Sequence, residues 1–136
     1  MDIRQAQEFL RGNSRAVVAT YRTDGQAQLS PVLATVDDAG RVLISTRETA
    51  LKVHNLRRDP RVALCVFTEA FFGEWAQVEG EAEVIALPEA MELLVDYYRR
   101  VAGEHSDWND YRTAMEKEKR VIVRFTIIRA GPSRSG

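Results

Sequence analysis

One cysteine and two histidines are spread over 136 residues, and that scarcity removes several kinds of chemistry. Cys65 has no partner for an internal disulfide and stands in the run Val62-Ala63-Leu64-Cys65-Val66-Phe67, where a small core residue is expected. Neither His54 nor His105 has a second histidine or cysteine at metal-ligand spacing. Walker P-loops, a G-x-G-x-x-G after a strand and a G-x-S-x-G elbow are all missing. Nucleophilic and metal chemistry are therefore disfavoured, and both histidines are expected to be structural. Charge of one sign is lacking as well: 19 Lys and Arg against 20 Asp and Glu leave a net charge of -1, which gives no overall field for nucleic acid or an anionic membrane. No apolar run approaches membrane-spanning length, and Met1-Asp2-Ile3-Arg4-Gln5 begins an amphipathic segment rather than a signal peptide, so a cytoplasmic protein is expected.

What is present suits one soluble domain over residues 1–136: 45% hydrophobic and 29% charged residues, with enough chain for a single core. Ile3, Ala6, Phe9 and Leu10 recur at helical spacing, and Gly12-Asn13 ends that helix. A strand over Ala16 to Tyr21 leads through the Thr23-Asp24-Gly25 hairpin turn into a second strand over Gln26 to Val36. Pro31 cannot donate to a ladder, so it marks a bulge, an edge or a stretch of backbone facing something other than a strand. Asp37-Asp38-Ala39-Gly40 turns the chain again. Val62 to Thr68 is apolar enough for a strand buried on both faces, and Glu69 to Glu74 reads as a loop. The adjacent Phe71 and Phe72 within that loop would be costly exposed, so another chain or a ligand is expected to cover them.

Ala76, Val78, Ala82 and Val84 alternate with polar residues in a half-exposed strand, with Gly80 a bulge or close approach. A helix after Pro88 carries Met91, Leu94, Val95, Tyr98, Val101 and Ala102 and stops at Gly103; a second carries Trp108, Tyr111 and Met115. Val121, Val123, Phe125 and Ile127 alternate in a last strand, and residues 130–136 read as a loose tail. Six strands joined by hairpins, with no βαβ repeat, predict a mainly β fold: a six-stranded antiparallel barrel with peripheral helices.

The most informative stretch runs from Val42 to Pro60. Val42-Leu43-Ile44 is a buried-strand run, and Ser45 followed by Glu48 matches a capping box, which predicts a helix from about Thr46 to Arg58 or Asp59. A helix N-terminus has unpaired N–H groups and the positive end of the macrodipole, so it favours anions. Ser45, Thr46 and Thr49 hydroxyls, Arg47 and Lys52 cluster at that end. The plainer alternative is that Arg47 and Lys52 are solvated and Ser45 is only a cap.

Gly12-Asn13-Ser14, Asp24-Gly25 followed by Gln28-Leu29-Ser30, Asn55-Leu56-Arg57-Arg58-Asp59-Pro60-Arg61, Val78-Glu79-Gly80 and Gly103-Glu104-His105-Ser106-Asp107-Trp108 together resemble the flavin/deazaflavin oxidoreductases. These are split β-barrel proteins similar to pyridoxamine 5′-phosphate oxidase, and the resemblance is strongest to the coenzyme F420-dependent branch. It implies an FMN-binding-type split barrel and a homodimer with cofactor sites at the subunit interface. It maps Gln28, Ser30, Pro31 and Val32 to the ring, and Ser45, Thr46, Arg47, Lys52 and Asn55 to the phosphate end. Trp75 maps near the ring edge across the interface. No side chain is implied as catalytic, although Tyr21, Tyr98 or Tyr111 could donate a proton as readily as solvent. The Arg-Leu-x-Pro-type ending of true pyridoxamine phosphate oxidases is absent. The implied activity is hydride transfer from reduced F420 to a small conjugated or unsaturated substrate. FMN-dependent oxidoreduction and non-enzymatic binding of a cofactor or small ligand are the alternatives.

Overall fold

A computed structural model describes residues 1–132. Four helices surround seven strands: α1 (Ile3–Gly12), β1 (Arg15–Tyr21), β2 (Ala27–Val36), β3 (Val42–Arg47), α2 (Leu51–Arg58), β4 (Arg61–Phe67), β5 (Trp75–Ile85), α3 (Ala90–Ala102), α4 (Trp108–Lys117), β6 (Arg120–Phe125) and β7 (Arg129–Gly131). Every pairing is antiparallel, in the order β4-β1-β2-β3-β6-β5, and a further β4–β5 pairing closes a six-stranded barrel with β7 added beside β5. The predicted barrel is thus the observed one.

β5 belongs to both halves of the barrel, pairing with β4 over residues 75–81 and with β6 over residues 82–85. Gly80 stands at that crossover, where a Cβ would lie 2.4 Å from the Thr126 carbonyl oxygen. It is the expected close approach. Val18, Val36, Ile44, Leu64 and Phe125 fill the barrel, together with Leu10 from α1 and Leu56 from α2. A second cluster, with Leu43, Leu94, Val95, Tyr97, Tyr111 and Ile122, lies between the barrel and α3/α4. That second layer explains why Val121, Ile122 and Val123 are buried in succession instead of alternating.

Several expectations need correction. β4 is buried on one face only, so Cys65 is a half-buried residue of the outer surface and not a core residue. The tail is not wholly loose: Arg129, Ala130 and Gly131 pair with Glu79, Val78 and Gln77, while residues 133–136 of the predicted tail lie outside the described residues. The Ser45 capping box does not form, because Ser45, Thr46 and Arg47 stay in β3 and pair with Ile122, Val121 and Arg120. Those ladder bonds outweigh a single cap. The helix therefore begins at Leu51, and Glu48 instead pairs with Arg57.

Candidate functional site

Backbone register places the site. Ala34 N–H donates to the Ser14 carbonyl at 2.8 Å and Arg22 N–H to the Gln26 carbonyl at 2.9 Å, so the even-numbered residues of β2 bond to β1. The backbone groups of Leu29, Pro31 and Leu33 therefore turn away from β1. On that side β2 pairs with β3 only over Ala34 to Val36. Beyond Ala34 the two strands part, and the barrel is split there. Pro31 loses nothing by lacking an N–H on this unpaired edge.

The split opens into a cleft of about 330 Å³ lined by Pro31, Val32, Ser45, Thr46, Arg47, Thr49, Ala50, Lys52 and Arg120. Residues 48–50 turn the chain out of β3, with Ala50 N–H donating to the Arg47 carbonyl at 3.0 Å, and α2 begins at the cleft. Ala50 is the N-cap and offers no side-chain acceptor, so the first N–H groups of α2 have no cap.

Electrostatics single out Lys52. It is half-buried, and among the described residues it makes no hydrogen bond or ion pair. Burial, and after it the Arg120 charge, holds its ammonium below the usual lysine value. Arg120 is better served, donating from Nε and Nη2 to Glu118 Oε1 at 3.1 and 2.9 Å. Arg47 reaches the same oxygen at 3.5 Å. These guanidinium groups, Arg120 foremost, hold the Glu118 carboxyl below its ordinary range. Of the three cations at the cleft, Arg120 and Arg47 thus share one carboxylate, and Lys52 has none among the described residues.

Of the ten residues mapped from sequence, Pro31, Val32, Ser45, Thr46, Arg47 and Lys52 come together here. Asn55 does not line the cleft; it is buried, and its Nδ2 donates to Thr20 Oγ1 at 3.1 Å, tying α2 to β1. Thr20 Oγ1 in turn donates to Gln28 Oε1 at 3.3 Å, and Gln28 Nε2 donates to the Leu29 carbonyl at 3.4 Å. Ser30 Oγ is buried with no hydrogen-bond partner among the described residues. Trp75 pairs with Phe67 at the far end of β5. Sequence reasoning missed Arg120 and the Ala50 backbone. Arg120 lies opposite Arg47 in the β3–β6 ladder, a neighbourhood visible only once the strand pairing is known.

The three candidate proton donors lie elsewhere. Tyr111 donates to the Leu94 carbonyl at 2.8 Å, and burial pushes its phenol up to about 12. Tyr98 packs among His105, Trp108 and Tyr111, and the Arg61 guanidinium sits 4.6 Å from the Tyr21 ring centre.

A family model described as pyridoxamine 5′-phosphate oxidase matches residues 3–132. Among solved structures, a conserved hypothetical protein from Mycobacterium tuberculosis is 27% identical with a TM-score of 0.77, covering 100% of this chain and 92% of that one. An F420 reductase is 19% identical with a TM-score of 0.72, covering 92% of this chain and 94% of that one. A candidate pyridoxamine 5′-phosphate oxidase from Listeria innocua is 11% identical with a TM-score of 0.70, covering 98% of both chains. The last two share the fold. Among the described residues no helix is long and apolar enough to cross a membrane.

Proposed function

This chain belongs to the pyridoxamine 5′-phosphate oxidase family, and from that premise we propose that it is an oxidoreductase that holds the phosphate end of reduced coenzyme F420 in the β2–β3 cleft and passes a hydride to a small conjugated or unsaturated acceptor. The observation that carries this reading is Lys52. An unpaired, half-buried ammonium beside Arg120 is a cost to the free protein that a bound anion removes. The uncapped start of α2 and the hydroxyls of Ser45, Thr46 and Thr49 add donors suited to phosphate. Pro31 and Val32 supply an apolar wall for the ring, and the orphaned Ser30 hydroxyl next to them offers a polar group that a bound ring would satisfy.

Bound there, a reduced deazaflavin supplies a two-electron hydride donor. The protein's own work is to hold the anion, orient the ring against β2 and exclude competing reactions. Among the described residues no phenol lines the cleft, so solvent supplies the proton that completes reduction. The choice of the deazaflavin rests on the sequence resemblance and on the shared fold of an F420 reductase. A second reading, an FMN-dependent oxidoreductase, is favoured by the closeness of Lys52 and Arg120, since two cations suit a doubly charged phosphomonoester.

A second copy of the chain completes the site in this proposal. Leu29, Leu33, Phe71 and Phe72 are 63%, 47%, 72% and 97% exposed, a large apolar surface for a lone protomer. Leu29 and Leu33 share the outer sheet face with half-buried Val17, Cys65 and Phe67. A homodimer would cover that face and bring Trp75 towards the partner's cleft. Fluorescence titration with oxidised F420 and with FMN tests the reading. Tighter binding of F420, followed by turnover of an acceptor, is expected; preference for FMN selects the second reading. Binding without any turnover leaves a cofactor-binding barrel, and binding of neither removes the cleft from the argument.

A further inference from the structure

The β2–β3 ladder stops abruptly, and its register says what stops it. Asp37 N–H donates to the Arg41 carbonyl at 2.9 Å, so Thr35 with Leu43 is a hydrogen-bonded pair, and the next two such pairs would be Leu33 with Ser45 and Pro31 with Arg47. β3 is ready for both. Glu48 N–H donates to the Lys119 carbonyl at 2.9 Å, which assigns the even-numbered residues of β3 to β6 and leaves the Ser45 and Arg47 backbone facing β2.

Neither pair forms, and each has an identifiable obstacle. At the first, the Tyr97 hydroxyl enters from α3 and donates to the Leu33 carbonyl at 2.8 Å, the acceptor that Ser45 N–H would otherwise use. Tyr97 is 9% exposed, and burial pushes its phenol up against an opposing pull from the Ser45 backbone N–H. At the second, Pro31 has no N–H for the Arg47 carbonyl, which accepts from Ala50 N–H at 3.0 Å instead. That bond begins the turn that brings the start of α2 to the cleft.

We propose that the Tyr97 hydroxyl and Pro31 together form a wedge that keeps β2 and β3 unzipped, making Tyr97 a positioning residue for an anion site that it does not itself line. The cleft's value as an anion site rests on the proposed function; the wedge itself does not. Closing the Leu33–Ser45 pair would draw Val32 against Thr46, and both line the cleft.

The test compares wild type with Tyr97→Phe, which keeps the ring, and with Tyr97→Phe combined with Pro31→Ala. Isotope-labelled protein is examined for an Hα–Hα contact between Val32 and Thr46 and for scalar coupling across a Ser45 N–H to Leu33 carbonyl bond. Inorganic phosphate is then titrated while the amide shifts of residues 49–52 are followed. Both strand signals are expected in the double variant and absent in wild type, with phosphate binding about tenfold weaker in the variant. If neither signal appears in any folded variant, the wedge is wrong. If the strands close but phosphate binds undiminished, the cleft does not depend on it. Should the double variant not fold, Tyr97→Phe alone decides. Failure of wild type to bind phosphate would sink the proposed function while the strand signals still judge the wedge.

Discussion

Replacing Lys52 with methionine removes a charge while keeping most of its half-buried stem, which separates ligand binding from packing. A charge-assisted hydrogen bond to an anion contributes about 1.5–3 kcal/mol, so the dissociation constant for the preferred cofactor should rise about 10- to 150-fold. The free protein should behave in the opposite sense. Lys52 has no compensating partner among the described residues and stands near Arg120, so losing its charge should cost no stability and could add up to about 1 kcal/mol. The pH dependence follows the same logic. Burial first, and Arg120 second, place the folded-state pKa below the lysine value of 10.5. The unfolded chain therefore binds more protons between those two values, and the cost of the charged lysine to the free fold fades as pH climbs through that alkaline window. A bound anion restores the pKa, so in that window binding takes up a proton and weakens as pH rises. Calorimetric titrations in two buffers of different ionisation enthalpy would read the affinity and the proton uptake together. An unchanged dissociation constant in Lys52→Met, or identical proton uptake in wild type and variant, would refute the assignment.

Two further perturbations probe the frame around the cleft. Gly80→Ala brings a Cβ to 2.4 Å from the Thr126 carbonyl oxygen and 2.7 Å from Phe125 Cδ2, so it should destabilise the barrel by about 2–3 kcal/mol in urea denaturation. An unchanged midpoint would mean that β5 and the chain after β6 can separate freely. Leu29→Glu puts a charge on the 63% exposed leucine of the outer sheet face and should convert a dimer to monomer in sedimentation equilibrium. A dimer that survives the change would place the subunit contact elsewhere.

Sequence pattern revealed the elements wherever one physical preference dominated. The Asp24-Gly25 hairpin forms with Gly25 at φ 83°, Gly103 ends α3 at φ 86°, and the alternation of Ala76, Val78 and Ala82 gives the buried face of β5. It misled where two local preferences competed. Ser45 and Glu48 read as a capping box, yet the same residues continue a ladder with β6, and a partner strand about seventy-five positions away in sequence carries no local signal. The β4 run shows the same weakness. Its outer face holds Ala63, Cys65 and Phe67, apolar enough to look internal, but in the protomer only its even-numbered side chains are covered. Within the candidate site, Lys52 was legible through the family resemblance rather than the local pattern, since the predicted helix start at Thr46 gives way to one at Leu51. Arg120 and Tyr97 were not, since one arrives through strand pairing and the other through helix packing.

The location of the cleft follows from how a barrel uses its backbone. A closed ladder commits its N–H and C=O groups to neighbouring strands, so it offers an anion only side chains. Backbone donors become available where the ladder is interrupted, and an interruption is tolerated only if the orphaned groups find other partners. Here the change from Val42-Leu43-Ile44 to Ser45-Thr46-Arg47 marks that place within a single strand. Its apolar half pairs on both sides, and its polar half pairs with β6 alone. Tyr97 takes the freed Leu33 carbonyl, Ala50 takes the freed Arg47 carbonyl, and the latter bond leads into a helix whose own first amides have no cap. The unmet hydrogen-bonding need is therefore not abolished but moved to the start of α2, where Lys52 adds a charge of the sign that an anion complements.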